Sequence, residues 1–245
     1  MKFIKVVVIT VMSTVLLSSC SSLFSVMQTE KSVASDLETE SQTAMQIQVS
    51  RLQAMPNRYK TQTSGHQASA NTLSQFQEAL LLKQQGNFSQ AKDRFMALSE
   101  QHPKLSGIWL QLAMLIKEQG QEQEQEKDDM EQKHQAMLKY LKIAITTNPL
   151  NYLAHNELAL VLRQQGQFQQ ALRHYDLALK SWPAFAPAYV NRGILYDLYM
   201  GEKSLALADY ELYQALTNDD SRQLKGWIFD LQRQIKSAQP NEASL

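Results

Sequence analysis

Two stretches of this chain, LLLKQQGNFSQAKDRF at residues 80–95 and LVLRQQGQFQQALRHY at residues 160–175, align without a gap around Gly86 and Gly166. After each glycine, an aromatic residue follows at two positions, an alanine at five, a second aromatic at nine and a proline at seventeen. These positions hold Phe88 and Phe168, Ala91 and Ala171, Phe95 and Tyr175, and Pro103 and Pro183. Such spacing predicts two helices joined by a tight turn, in which the glycine supplies a positive φ.

Gly120 and Gly201 mark two further copies of the pattern. The glycines are 34 residues apart from Gly86 to Gly120, 46 from Gly120 to Gly166 and 35 from Gly166 to Gly201. The longest interval contains an insert of about twelve residues, in the very polar stretch GQEQEQEKDDMEQKHQ at 120–135. We expect this insert to lengthen the two helices of its repeat as a solvated arm, and an arm that docks a partner is the alternative.

A 34-residue helix–turn–helix unit with these small, aromatic and proline positions resembles the tetratricopeptide repeat. The resemblance covers about 150 of the 245 residues and implies an all-α fold, a right-handed superhelix of about four repeats. Each such repeat buries its apolar face only against a neighbouring repeat. The predicted repeats are 72–105, 106–151 (with the insert), 152–185 and 186–219. A capping helix at 220–237 and a tail at 238–245 are predicted to follow them.

The N-terminus carries the pattern of an export signal. A short basic start with Lys2 and Lys5 precedes an apolar run of about twelve residues, 6–17. This run is shorter than the roughly 20 residues that a membrane-spanning helix needs, and small residues follow it. We therefore predict a signal peptide over residues 1–19.

The signal ends in Leu17-Ser18-Ser19-Cys20, which resembles the bacterial lipobox. The resemblance implies that Cys20 receives a diacylglycerol thioether, becomes the mature N-terminus and is then acylated, for example with palmitate. Several acyl chains give stable anchoring. Because Ser21 rather than an aspartate follows, the resemblance implies an outer-membrane lipoprotein of a Gram-negative envelope, facing the periplasm. An ordinary cleaved signal with an incidental cysteine, and retention at the inner membrane, are the alternatives.

Residues 20–71 are rich in Ser, Thr and Gln and predict a flexible spacer between membrane and repeats. Apolar residues within 33–55 indicate one weak helix, which Pro56 would end. A helix over this range that docks on the first repeat is the alternative.

In the tetratricopeptide family, the first helix of each repeat lines a concave, peptide-binding groove. When those family positions are carried over to this sequence, they predict an apolar groove floor that includes Phe76, Leu80, Val190 and Ile194. The predicted groove residues are Lys83, Leu110, Met114, Lys117, Asn156, Leu160, Arg163, Asn191 and Asp197. The three cations lie three residues before a repeat glycine. They are interpreted as solvated helix-end charges, or alternatively as a basic ladder for an acidic peptide.

The composition argues against several functional classes. Lys+Arg and Asp+Glu both number 24, so net charge gives no argument for nucleic-acid binding. The single cysteine cannot form an internal disulfide or a Cys-based zinc site. The five histidines show no HExxH spacing, and neither a Gly-rich phosphate loop nor GxSxG occurs. We expect no catalytic residues, metal, cofactor or small-molecule substrate beyond the lipid on Cys20.

Together these patterns predict a lipid-anchored periplasmic adaptor that binds envelope proteins through its groove. Similar lipoproteins serve pilus-secretin assembly and the regulation of peptidoglycan hydrolases, and residues 188–216 resemble the enterobacterial members that organise those hydrolases. One alternative is a structural envelope protein that self-associates, for instance as a homodimer, without a peptide ligand. Another is a soluble periplasmic binder whose lipobox is accidental.

Overall fold

The computed structural model describes residues 39–62, 68–121 and 127–238. The predicted signal peptide, Cys20, the first part of the predicted spacer and the last seven residues lie outside this described part. The chain divides into two compact units, residues 1–48 and 49–245. Helix α1 covers residues 39–54, and α2 covers Arg58–Gln62.

The second unit contains four pairs of helices and a final helix, and the all-α prediction is confirmed. The two helices of the first pair are connected by the turn Gln85–Asn87. In the second pair, the second helix is longer than the second helix of any other pair. The helices are α3 (Ala70–Gln84), α4 (Phe88–Gln101), α5 (Ser106–Gln121), α6 (Lys127–Thr147), α7 (Tyr152–Gln164), α8 (Phe168–Ser181), α9 (Ala186–Leu195), α10 (Lys203–Thr217) and α11 (Arg222–Ala238). A π-helical turn, Tyr196–Met200, extends α9.

Three of the four repeat glycines close their turns in the left-handed region, with φ of 76° at Gly86, 74° at Gly166 and 72° at Gly201. L-residues with a Cβ rarely adopt this conformation, so the glycines let the chain reverse between paired helices. Gly120 instead lies inside α5, which continues to Gln121. The polar insert therefore lengthens this pair, because α6 has 21 residues where α4 and α8 have 14.

Small residues let the paired helices approach closely. The fully buried alanines at the repeating positions are Ala79, Ala91, Ala113, Ala159, Ala171 and Ala206. Gly193 has the same role in the fourth pair, since a Cβ there would lie 2.7 Å from the Tyr210 ring. The aromatic positions Phe95, Tyr175 and Tyr210 are also fully buried and fill the space that these small residues leave. Close helix approach combined with large buried rings gives dense packing between successive pairs.

The fourth pair contains one residue more than the 34-residue repeat, and the structure accommodates it in the π-helical turn. A π-turn closes i→i+5 hydrogen bonds and so absorbs a single inserted residue without breaking the helix. Leu198 and Tyr199 in this turn point outward and are 68% and 47% exposed. Helix α11 then covers the open end of the stack with Leu224 and Leu231.

The segment before the repeats departs from the predicted flexible spacer. Two parts of it are helical, residues 39–54 and Arg58–Gln62, and α2 packs on the repeats. The Tyr59 ring meets the Tyr152 ring edge-on at 6.0 Å, and its hydroxyl lies 3.2 Å from the Ser106 hydroxyl. The flexible-spacer prediction is therefore wrong for residues 58–62, because ring packing and a hydrogen bond hold a segment whose composition alone favours disorder. Among the described helices, none is long and apolar enough to cross a bilayer.

Candidate protein-binding face

The predicted groove residues lie on the first helices of the four pairs, α3, α5, α7 and α9, and on the π-turn. Met114 and Leu160 are half-buried, so part of each apolar side chain meets solvent. Leu110 is 5% exposed and packs in the core with Ala113 and Leu158. The prediction that Leu110 lines the groove is therefore wrong, because the close packing of α5 against its neighbours covers it.

Lys83 on α3 reaches across to the next repeat. Its Nζ donates to Gln111 Oε1 and to Glu118 Oε1, both at 3.0 Å, and its side chain is only 12% exposed. The interpretation of Lys83 as a solvated helix-end cation is therefore wrong. Its charge is matched by a carboxylate of α5, and the pair ties the first two repeats together.

Lys117 on α5 repeats this contact one repeat further along. Its Nζ donates to Glu157 Oε2 at 2.7 Å, and Glu157 lies on α7 with little exposure. A short, partly shielded ion pair contributes more than an exposed one, because solvent screens it less. Lys117 therefore also joins two repeats.

Arg163 on α7 continues the series towards α9. Its guanidinium donates to the backbone carbonyl of Asn191 at 3.4 Å. The Asn191 amide donates to Asn156 Oδ1 at 3.1 Å, and the Asn156 amide lies 3.5 Å from Glu157 Oε1. These side chains form a polar chain between α7 and α9. Asn156 is only 4% exposed, so the prediction that it lines the groove is wrong, as it is for Leu110.

These contacts follow one register. The cation three residues before a repeat glycine contacts the residue nine before the next glycine, as Lys83 does with Gln111 and Lys117 with Glu157. The one-residue insertion shifts the corresponding position of the fourth repeat to Asn191, which Arg163 contacts. Sequence reasoning missed these partners, although their fixed spacing from the glycines was available as a signal.

Below the face, Arg192 of α9 forms a partly buried ion-pair cluster that the sequence did not indicate. It donates two 2.8 Å bonds to the Asp209 carboxylate and a 2.6 Å bond to Asp176 Oδ1. Burial raises the pKa of the Asp209 carboxyl, and the Arg192 bonds oppose that rise only in part. The cluster joins α8, α9 and α10, and Asp197 lies nearby as the acceptor of a 3.4 Å bond from the Tyr210 hydroxyl.

Two histidines form a second buried polar pair, between α7 and α8. His155 is 2% exposed, and its Nε2 must donate to the Pro149 carbonyl at 3.0 Å. Its Nδ1 is then an acceptor, and it lies 2.9 Å from His174 Nδ1. Burial lowers the pKa of both rings, and His155 and Arg173 lower that of His174 further, to about 4. Both rings are neutral at pH 7, so His174 Nδ1–H donates the hydrogen bond to His155 Nδ1.

A cavity of about 580 Å³ opens between α2, the start of α3, the α4–α5 turn and the end of α6. Its lining residues are Tyr59, Lys60, Gln62, Ala68, Thr72, Leu73, Phe76, Lys104, Leu105, Ser106, Gly107, Ile108, Thr147, Asn148 and Pro149. Its volume falls in the usual range of ligand sites, roughly 300–1,000 Å³. Among the described residues, no group of three or more His, Cys, Asp or Glu side chains is arranged to hold a metal ion.

The stacked helix pairs and their shared face define a helical-repeat scaffold. The tetratricopeptide-repeat family model matches residues 138–184 and 156–220, so this part of the chain is similar to tetratricopeptide repeats. Human tetratricopeptide repeat protein 6 is 35% identical over 79 residues, which are 32% of this chain and 15% of that protein. Proteins of this family are typically interaction scaffolds rather than enzymes.

Solved structures share the fold at low identity. PilF of Pseudomonas aeruginosa has a TM-score of 0.55 and 18% identity, over 68% of this chain and 69% of that one. A tetratricopeptide repeat protein from Parabacteroides merdae has a TM-score of 0.53 and 16% identity, over 69% and 62%. MamA has a TM-score of 0.51 and 18% identity, over 67% and 88%. At this identity the likeness concerns the fold alone.

Proposed function

We propose that this chain is a lipid-anchored adaptor of the outer membrane, which binds an envelope protein through the face formed by α3, α5, α7 and α9. The tetratricopeptide repeats support the protein-binding part of the proposal. The signal sequence and the lipobox ending at Cys20 support the anchoring part. The adaptor would hold its partner close to the membrane on the periplasmic side.

The observation that carries the proposal is the chemistry of this face. Half-buried Met114 and Leu160 offer apolar contact, and half-buried Asn191 adds a side-chain amide to the same face. An extended peptide presents both apolar side chains and backbone amides, which such a surface complements. Because the cations Lys83 and Lys117 are already paired, we infer that recognition depends on apolar and amide contacts more than on positive charge.

Crosslinked purification from envelopes tests the binding face. The variants Met114→Gln and Leu160→Gln remove apolar contact without breaking the ion pairs between repeats. Leu177→Gln on α8 is the matched control, since Leu177 is 40% exposed on a second helix. We expect the first two variants to lose specific crosslinked partners that the control retains. Identical partner sets for all three variants would remove the face from the proposal.

Metabolic labelling with a radioactive or clickable fatty acid tests the anchor. We expect label on the wild-type chain and none on Cys20→Ala, which should also fractionate away from the outer membrane. Equal labelling of both chains would show that Cys20 is not the lipid acceptor. The result is independent of the binding face, so the two parts of the proposal can fail separately.

Self-association is the alternative, and the outward-facing side chains of the fourth pair favour it. Leu198, Tyr199 and Leu205 are about half or more exposed. Light scattering of the purified Cys20→Ala chain distinguishes the two functions. We expect a monomer for an adaptor, and a stable dimer that Leu198→Gln dissociates would favour the structural alternative.

A further inference from the structure

We propose that the cavity between α2, α3, the α4–α5 turn and the end of α6 is a second peptide site, which takes an apolar side chain next to an acidic group. The proposal rests on the protein-binding function proposed above and adds a separate site to it. Apart from Phe76, the lining residues are not members of the predicted groove. The site would recognise a short extended segment of a protein partner.

Apolar side chains of α3 form an accessible part of the cavity wall. Leu73 is 51% exposed although it faces the cavity, and Phe76 lies one helical turn further along α3 with partial exposure. Ile108 on α5 forms part of the opposite wall. A leucine side chain that remains half-exposed at a concave site gains free energy when an apolar ligand covers it.

The hydroxyl groups of Tyr59, Thr72 and Ser106 in the wall already have partners. Thr72 Oγ1 lies 3.1 Å from His102 Nε2, and the Ser106 hydroxyl is bonded to Tyr59 and to the buried amide of Asn151. An uncharged polar ligand would therefore compete for groups that are already satisfied. The cavity therefore favours an apolar ligand over an uncharged polar one.

The charge around the cavity favours an anion. The exposed Lys104 lines it, and none of its described lining residues is an aspartate or a glutamate. An acidic group beside the apolar side chain would therefore meet positive potential without a repelling carboxylate. The volume of about 580 Å³ accommodates one or two bulky side chains, which is the size of a short peptide motif rather than of a whole helix.

Fluorescence anisotropy with labelled hexapeptides tests the site on the complete mature chain with Cys20→Ala. The first probe places an aspartate next to a phenylalanine and a leucine, the second replaces the aspartate by lysine, and the third replaces both apolar residues by serine. We expect the first probe to bind at least about fivefold more tightly than the other two, because each of them loses a contact worth about that factor.

Matched variants locate the binding. Leu73→Gln and Lys104→Glu should each weaken the first probe by about fivefold. Leu81→Gln is the control for the first, because Leu81 lies on the same helix with 53% exposure and does not line the cavity. Lys92→Glu is the control for the second, since Lys92 is exposed on α4. Thermal melting of all four variants shows that each remains folded.

Several results would overturn the proposal. They are equal binding of the three probes, equal effects of the lining and control variants, and no binding by any probe at about 1 mM. Binding of palmitate that Leu73→Gln weakens, without peptide binding, would show a lipid site instead. Each of these outcomes can occur while Met114→Gln and Leu160→Gln still lose their crosslinked partners, so failure here is distinct from failure of the adaptor proposal.

Discussion

Acidification should loosen the third helix pair through His155 and His174. The pKa of His174 is lowered to about 4 in the folded chain, whereas an unfolded histidine titrates near 6.5. Above pH 6.5 both states are neutral and the full stability is present. As the pH falls below 6.5 the unfolded chain takes up a proton that the folded chain excludes, so stability decreases until the pH passes about 4.

The magnitude follows from this shift of the His174 pKa. Between pH 7.5 and pH 5, linkage gives a loss of about 2 kcal/mol if the shift applies in full. Because the His174 ring is only partly buried, we reduce this to about 1 kcal/mol for solvent screening. The lowered pKa of His155 acts in the same direction. For a domain of this size, 1 kcal/mol corresponds to roughly 2–4 °C in Tm.

Urea unfolding followed by circular dichroism at pH 7.5 and pH 5 measures this effect. The variant His174→Gln keeps an amide donor for His155 Nδ1 but does not titrate. We expect it to lose about 1 kcal/mol less than the wild type on acidification. Comparing the two chains cancels the pH-dependent stability of carboxyl groups such as Asp209. The raised pKa of Asp209 acts with the opposite sign, since it makes the fold more stable on acidification. Identical losses in wild type, His174→Gln and the control His134→Gln would refute the reasoning.

Three further substitutions test the packing and the ion pairs. Gly193→Ala should destabilise the fold by about 1–3 kcal/mol, because its Cβ would lie 2.7 Å from a tyrosine ring; calorimetry that shows no loss would contradict that contact. Asp209→Ala should lower the free energy of unfolding in urea by about 3 kcal/mol, because it removes the buried carboxylate that pairs with the Arg192 charge. A loss below about 1 kcal/mol would contradict this ion pair. Lys117→Glu alone should destabilise by about 1 kcal/mol, and adding Glu157→Lys should restore most of it; a double variant no more stable than the single one would disprove the contact between repeats.

The repeat architecture was predictable because its causes are local and repeated. A glycine at a turn, alanines at close helix contacts and aromatics between pairs each constrain the chain through their own size and backbone preference. Gly86 and Gly166 could therefore be aligned from the sequence, and they occupy equivalent turns in the structure. The insert after Gly120 was visible in the same way, as a change of spacing.

The candidate face was predictable only in part. The family positions identify the helices that carry it, but not which side chains remain accessible. Leu110 is covered by its neighbours, and Lys83 is neutralised by an acid from the next repeat. Both outcomes depend on the distance between successive helices, which residue type alone does not encode.

The sequence by itself determined the helix pairs, their order and their turns, since these follow from residue size and periodicity within about forty residues. It also supplies the only argument for lipid attachment at Cys20. The tertiary structure alone decided the His155–His174 pair, the Arg192 cluster and the docking of Tyr59 onto Tyr152. Which side chains meet in these contacts depends on how the helices are rotated and spaced against one another, so the contacts exist only after the helices have packed together.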